Sequence, residues 1–337
     1  MLLEPGCQRN PSSEPDPASG IPLTLASERA RTISNLRYNL SFDVPSAASE
    51  PIQGQAAIRF TRNENQQPLI LDFSPGGESI ISVNANGKRS QFRSVNGHIV
   101  IPGEELTAGE NSIEIAFKAG DASLNRNPEF MYTLFVPARA HLAFPCFDQP
   151  DLKARFTLAL NVPAEWQSVA NGRETSREPA GARVKVGYAE TQPIPTYLFA
   201  FAAGKFQVET AERGGRTLRM FHRETDKEKV QRNRDAVFDL HAASLAWLEK
   251  YTGIAYPFGK FDFVLIPSFQ FGGMEHPGAI FYNAASILLE KSATENQMLN
   301  RASTIAHESS HMWFGDLVTM RWFNDVWMKE VFANFIA

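Results

Sequence analysis

The chain has 337 residues, room for about two domains at roughly 100 to 200 residues each. Its composition, 43% apolar and 21% charged, is that of a protein able to bury a core, which excludes disorder over most of its length. Thirty-three Lys and Arg against 37 Asp and Glu leave a formal charge of -4, so no broad electrostatic footprint for nucleic acid or an anionic membrane is expected.

Residues 1–20 hold four prolines among Ser, Gly and acidic residues and read as a flexible lead-in. Met1–Asn10 has neither a basic n-region nor an apolar h-region, and no run approaches the roughly 18 to 20 apolar residues of a membrane span. A soluble protein is expected, cytoplasmic unless a leader has been removed. From Leu36 to Val44 apolar residues alternate with Arg37, Asn39, Ser41 and Asp43, the period of a half-buried strand, and Pro45 ends it. The same period returns around Ile113–Phe117 and Phe156–Val162. Asn86-Gly87 and Asn96-Gly97 favour hairpins between such runs because both residue types tolerate positive φ. The first 200 or so residues therefore read as an antiparallel β domain. Cys7 and Cys146 allow at most one disulfide, and the apolar neighbours of Cys146 point to a buried structural thiol.

Past Gly214-Gly215 the period changes to three and four. Ala236, Leu240, Ala243 and Trp247 predict an amphipathic helix stopped by Gly253, followed by a short strand, Phe261–Ile266, and a glycine-rich segment, Phe271–Gly278. Ser292 and Glu295 have the spacing of a capping box, predicting a helix that runs to about Gly315, and a further helix follows Asn324-Asp325.

Inside the first of these two helices the chain reads His307-Glu308-Ser309-Ser310-His311. Residues four apart share a helix face, so two imidazoles can converge on one ion with Glu308 beside them, the arrangement of zinc hydrolases. A catalytic zinc takes three protein ligands and leaves a position for water. Glu330, eighteen intervening residues after His311 and embedded in the apolar run Trp327–Ala333, is the candidate third ligand, since burying a carboxylate without a partner is costly.

These residues resemble the gluzincin aminopeptidases, the family of aminopeptidase N and leukotriene hydrolase. Its H-E-x-x-H, eighteen residues, E pattern is matched by His307, Glu308, His311 and Glu330, with Val331 where the family usually has Gly. Its G-x-M-E-N signature stands as Gly273-Met274-Glu275-His276, with His276 in place of Asn, and its F-P-C-F-D-x-P signature is intact from Phe144 to Pro150. The resemblance implies an N-terminal all-β saddle-like domain over 21–210, then over 211–337 the first part of a thermolysin-like α/β metallopeptidase domain.

It further implies one Zn2+ per chain held by His307, His311 and Glu330, with Glu308 as general base. Glu275 would pair with the free α-ammonium of a peptide, and Gly272, Gly273 and Met274 would contact its backbone. The implied partner is a peptide with a free N-terminus, the full-length protein being monomeric. Leu134 stands where the family often has an amine-binding Gln, so the amine site either rests on Glu275 alone or recruits another group. The family's oxyanion tyrosine lies further downstream than Ala337, which implies a truncated form of a longer enzyme, and Tyr282 is no substitute for it by position. A contrasting reading, prompted by Leu134, His276 and Val331, is a non-catalytic peptide- or partner-binding module with a decayed metallopeptidase site.

Overall fold

The structure, a computed structural model, describes residues 16–63 and 67–337. Most of the expected lead-in, residues 1–15 with Cys7, lies outside the described residues. The last part of it is anchored: the Ala18 carbonyl lies 3.0 Å from His98 Nε2, and Asn96 Nδ2 donates to the Pro17 carbonyl at 3.0 Å. A ten-residue helix, α1 (Leu23–Thr32), then precedes the first strand. Sequence periodicity did not reveal α1, because its inward face is Ala26, Arg29 and Thr32 rather than an apolar stripe.

The β-rich part is built from three sheets. The largest has eight strands in the order Glu174–Ala180, Arg183–Tyr188, Arg155–Pro163, Ile33–Asp43, Gln53–Arg62, Gly109–Lys118, Ile80–Ala85, Lys88–Arg89. It is antiparallel except where Ile33–Asp43 runs parallel to Arg155–Pro163, with Tyr38 opposite Phe156 and Phe42 opposite Leu160. The expected alternation holds: Leu36, Tyr38, Leu40 and Phe42 are buried and the residues between them face solvent or lie half-buried. Asn86 and Gly87 turn the chain at φ 50° and 78°, and Asn96 and Gly97 at 52° and 82°, left-handed values that link consecutive short strands. Smaller sheets of four and three strands close the other side. Between the sheets an aromatic cluster fills the core; Phe199 stacks on Phe156 at 4.7 Å and meets Phe144 edge-on at 5.7 Å. Cys146 is fully buried there, and burial pushes its thiol well above the usual range, as expected for a structural cysteine.

The chain crosses to a five-stranded sheet at Gln207, a few residues ahead of the division expected at 210: Gln207–Arg213, Arg216–His222, Phe261–Ile266, Ala279–Asn283, Gly273–Met274. The first strand pairs with the second through the Gly214-Gly215 turn. The middle three strands are parallel, and the crossover between the first two of them is α2 (Lys227–Thr252), capped by Asp226 and ended by Gly253 at φ 70°. Phe261–Ile266 is buried at every position because both faces of this sheet are covered. Phe261, Phe263 and Leu265 face the helices, whereas Val264 and Ile266 join the aromatic core of the β-rich part. One continuous core thus joins the sheets, and the helices cover its far side. They are α2, the single turn α3 (Ala284–Ile287), α4 (Glu295–Ser310) and α5 (Val326–Ile336). No helix among the described residues is long and apolar enough to cross a membrane.

A buried charge cluster ties α1 to the sheets. Asp72 accepts two bonds from Arg29, at 2.6 and 2.8 Å, lies 3.0 Å from His98 Nδ1, and accepts from the Asp148 backbone N–H at 2.9 Å. Despite burial, Arg29 and His98 hold its pKa down at about 2, while His98 is raised by the same contact. Because Asp72 titrates lower in the folded chain than in the unfolded one, its contribution of about 2 kcal/mol is present above about pH 4 and is lost as the pH falls toward 2. The His98 contribution has the opposite sign and is lost as the pH rises past its folded value. Asp72→Asn is expected to cost about 3–5 kcal/mol near pH 6, since it strands the buried Arg29 charge. Urea unfolding followed by circular dichroism should show that deficit shrinking near about pH 3, and an unchanged deficit would contradict this account.

Candidate functional site

The site forms where the last turn of α4, the edge strand Gly273–Met274 and α5 meet. Thr294 and Gln297 supply the capping box that opens α4; Gln297 Oε1 accepts from the Thr294 N–H at 2.9 Å. The expected box of Ser292 and Glu295 is thus corrected by two residues, Thr294 being the residue with extended, non-helical dihedrals and Glu295 already helical. The helix also stops at Ser310 rather than near Gly315. From there the chain folds back on itself, with the Asp316 N–H bonding the His311 carbonyl at 3.0 Å and Gly315 at φ 142°. That turn fixes His311: its Nδ1 lies 3.0 Å from the Phe314 carbonyl, so Nδ1 carries the proton and Nε2 presents its lone pair to the cleft.

His307 Nε2 and His311 Nε2 are 3.1 Å apart, and Glu330 Oε2 is 3.4 Å from the first and 3.6 Å from the second. Donors about 2.0–2.2 Å from a tetrahedral ion are separated by about 3.3–3.5 Å, so this triangle fits a zinc-sized cation. Each of the three offers an atom to a common point, and a second such group, Glu275, Glu308 and His311, lies beside it. A cleft of about 450 Å³ opens over both, lined on one wall by Phe271–Glu275 and on the other by α4 and α5.

Every expected site residue reaches this cleft. Gly272 and Gly273 face Thr304 and Glu308; a Cβ at Gly273 would lie 2.4 Å from the Glu308 carboxyl carbon. Only glycine lets the edge strand press onto that carboxylate. Gly273 and Met274 pair with Tyr282 and Phe281 on one side, leaving their outer edge toward the cleft. Asn171 holds the turn after Glu275 by donating to the Pro277 carbonyl at 2.9 Å while bonding Leu198 and Ala200 of the β-rich part. Lys153 Nζ likewise bonds the Asp316 and Leu317 carbonyls at 2.8 and 2.9 Å.

Electrostatics distinguish the acids. Burial, with the charges of Glu275 and Glu330 adding, pushes Glu308 up to about 8. Glu275 is equally buried, yet Lys329 and His311 hold it down at about 2. Glu330 is held far below the carboxylate range by the two imidazoles and Lys329, and His311 is raised by Glu275 and Glu330. His276 does not face a partner: burial lowers it to about 3, and it packs edge-on against Phe281 with neither ring nitrogen hydrogen-bonded among the described residues. Tyr282 is tied into the core through His241 at 3.2 Å and Leu134 is buried, so neither serves the cleft.

Lys329 was not singled out by sequence. Its ammonium, 6% exposed, lies 2.5 Å from Glu275 Oε1 and 2.6 Å from Glu330 Oε1. The available signal was a lysine directly before Glu330 in an apolar run.

The peptidase M1 N-terminal domain family matches residues 34–198, and the peptidase family M1 domain matches 236–337. Puromycin-sensitive aminopeptidase of Caenorhabditis elegans is 35% identical over 208 residues, 60% of this chain and 22% of the relative. Probable M1 family aminopeptidase 1 of Encephalitozoon cuniculi is 35% identical over 311 residues, covering 84% of this chain and 35% of the relative. Aminopeptidase N of Streptomyces lividans is 28% identical over 337 residues, 95% and 38%. The chain therefore spans about a fifth to two fifths of the length of these relatives.

Gly273→Ala is expected to destabilise the chain by about 1–3 kcal/mol by forcing the buried Glu308 carboxylate aside. Thermal unfolding checks this, with Gly272→Ala, whose Cβ would meet only Thr304 Cγ2 at 4.0 Å, as the control expected to change little.

Proposed function

We propose that this chain, which belongs to peptidase family M1, carries the metal-binding and amine-binding wall of a zinc-dependent aminopeptidase that removes N-terminal residues from peptides. The observation that carries the reading is the triangle of His307 Nε2, His311 Nε2 and Glu330 Oε2, with separations of 3.1 to 3.6 Å. Two imidazole nitrogens and a carboxylate oxygen converging on one point are the donor set that a zinc ion takes. Zinc, when bound by these three residues, would lower the pKa of an adjacent water and polarise the scissile carbonyl.

The other roles belong to the chain's own groups. Glu308 takes the proton of the attacking water and returns it to the departing amine. Glu275 holds the α-ammonium of the peptide by a charge-assisted bond that only a chain terminus can form, which limits cleavage to the N-terminal residue. Gly272, Gly273 and Met274 take the substrate backbone as an added strand along the free edge of the five-stranded sheet. The fit of that edge to the cleft rests on Gly273, whose missing side chain leaves room for Glu308.

Equilibrium dialysis with metal analysis tests the reading. One zinc per chain is expected, with Glu330→Ala lowering the affinity by about 100-fold or more. Glu308→Gln should retain the metal and reduce hydrolysis of an aminoacyl anilide by about 10²–10⁴-fold. A chain that takes up no stoichiometric zinc, or whose zinc is indifferent to Glu330→Ala, would instead be a peptide-binding module without hydrolytic chemistry.

A further inference from the structure

Glu275 is the natural seat for a peptide ammonium, yet it already holds one. Lys329 Nζ sits 2.5 Å from its Oε1, nearly excluded from solvent and 5.8 Å from the centre of the Tyr197 ring. We propose that Lys329 is a built-in competitor for the amine subsite: its ammonium occupies Glu275 in place of the peptide's α-ammonium, and a substrate amine binds only as Lys329 withdraws. This rests on the reading of Glu275 as the amine anchor.

Three observations carry it. Glu275 is 3% exposed, both it and Lys329 line the cleft, and the Lys329 ammonium already bonds its Oε1. A second cation brought to the same carboxylate would lie against the first, and in a buried site such like-charge contact is poorly screened. The charges of the cleft also count against two ammoniums. Its carboxylates are Glu275, Glu308 and Glu330, three negative charges at most, which a divalent ion and a single ammonium already balance.

Lys329 also has somewhere to go. Its other bond, 2.6 Å to Glu330 Oε1, reaches a carboxylate whose side chain is 42% exposed. A flexible four-carbon stem lets the ammonium keep Glu330 as partner while it releases Glu275. Glu330 Oε2, the oxygen that faces both imidazoles, is not used in this exchange. The apparent affinity for a free amine is then reduced by the fraction of molecules in which Lys329 has withdrawn. Lys329 thereby sets how strongly the cleft prefers a free N-terminus, which makes it a specificity-determining residue rather than a catalytic one.

Calorimetric titration of the zinc-loaded chain with L-leucinamide and with N-acetyl-L-leucinamide tests this. Lys329→Met is expected to bind leucinamide about tenfold or more tighter than the wild type, with the acetylated probe unchanged. Equal or weaker binding of leucinamide by a folded Lys329→Met overturns the proposal. Glu275→Gln placed on the Lys329→Met chain separates the two readings. Loss of the gain supports both. A gain that survives defeats Glu275 as the anchor and the competition at it. No gain in Lys329→Met, but weaker leucinamide binding in Glu275→Gln alone, leaves the anchor standing and the competition refuted. Absence of amine-dependent binding in every variant defeats both. Should Lys329→Met fail to fold, the wild type labelled with ¹⁵N-lysine gives the answer. Its protected Lys329 ammonium resonance, assigned by its loss in Lys329→Arg, is expected to move or broaden at saturating leucinamide. An unperturbed resonance overturns the proposal.

Discussion

Three carboxylates, Glu275, Glu308 and Glu330, share one cleft with two imidazoles and the Lys329 ammonium, and the repulsion among the carboxylates, offset by the groups between them, is the constraint around which the cleft is arranged. Like charges a few ångströms apart cannot all stay ionised in a poorly solvated space unless cations stand among them. The consequences are visible in opposite directions. Glu308, for which burial outweighs the pull of His311 and Lys329, is driven up to about 8, whereas Glu275, equally buried but bonded to Lys329, is held at about 2. Two carboxylates on adjoining elements thus differ in how readily they hold a proton because of their neighbours alone.

Holding such a cluster together takes a rigid surround, and most of it comes from outside the helices that bear the ligands. The five-stranded sheet is buried on both faces, so its edge strand is positioned by the aromatic core of the β-rich part as well as by α2 and α4. Asn171 spans from that part to the turn after Glu275, and Lys153 pins the loop after His311. The Phe144–Pro150 signature braces the β-rich part internally. Asp148 accepts from Thr196 Oγ1 at 2.6 Å and from the His141 backbone, while its own N–H bonds Asp72. Of these residues, Asn171 and Lys153 reach across to the elements that carry Glu275 and His311.

The helix that supplies Glu330 is the least enclosed. On α5 Lys329 and Ala333 point inward, but Trp327, Val331, Phe332 and Phe335 are 46 to 78% exposed. An apolar face of that extent in water is what a docking surface presents, and it leaves the position of Glu330 dependent on a few contacts: Lys329, the two imidazoles, and Phe332 stacked on Phe314 at 5.4 Å. The relatives that match this chain are far longer, and the chain spans only 22 to 38% of those compared.

Strand Phe261–Ile266, the hairpins at Asn86-Gly87 and Asn96-Gly97, the stop at Gly253 and the pairing of His307 with His311 were all legible in the sequence, because each depends on residues within a turn or two of one another. The fall of Glu330 within reach of both imidazoles was legible too, through spacing and through the cost of an unpartnered carboxylate in an apolar run. Helix α1 was not, since a charged residue rather than an apolar stripe fastens it. Nor was the box at Thr294, where two offset pairs of similar residues compete and only the backbone dihedrals choose between them. Lys329 marks the limit most clearly. Adjacent residues on a helix point about 100° apart, so which of Met328, Lys329 and Glu330 meets Glu275 depends on how α5 is rotated against an edge strand more than fifty residues earlier in the chain. Local chemistry determined which groups could bind an ion or an amine; the packing of distant elements decided which cation Glu275 holds.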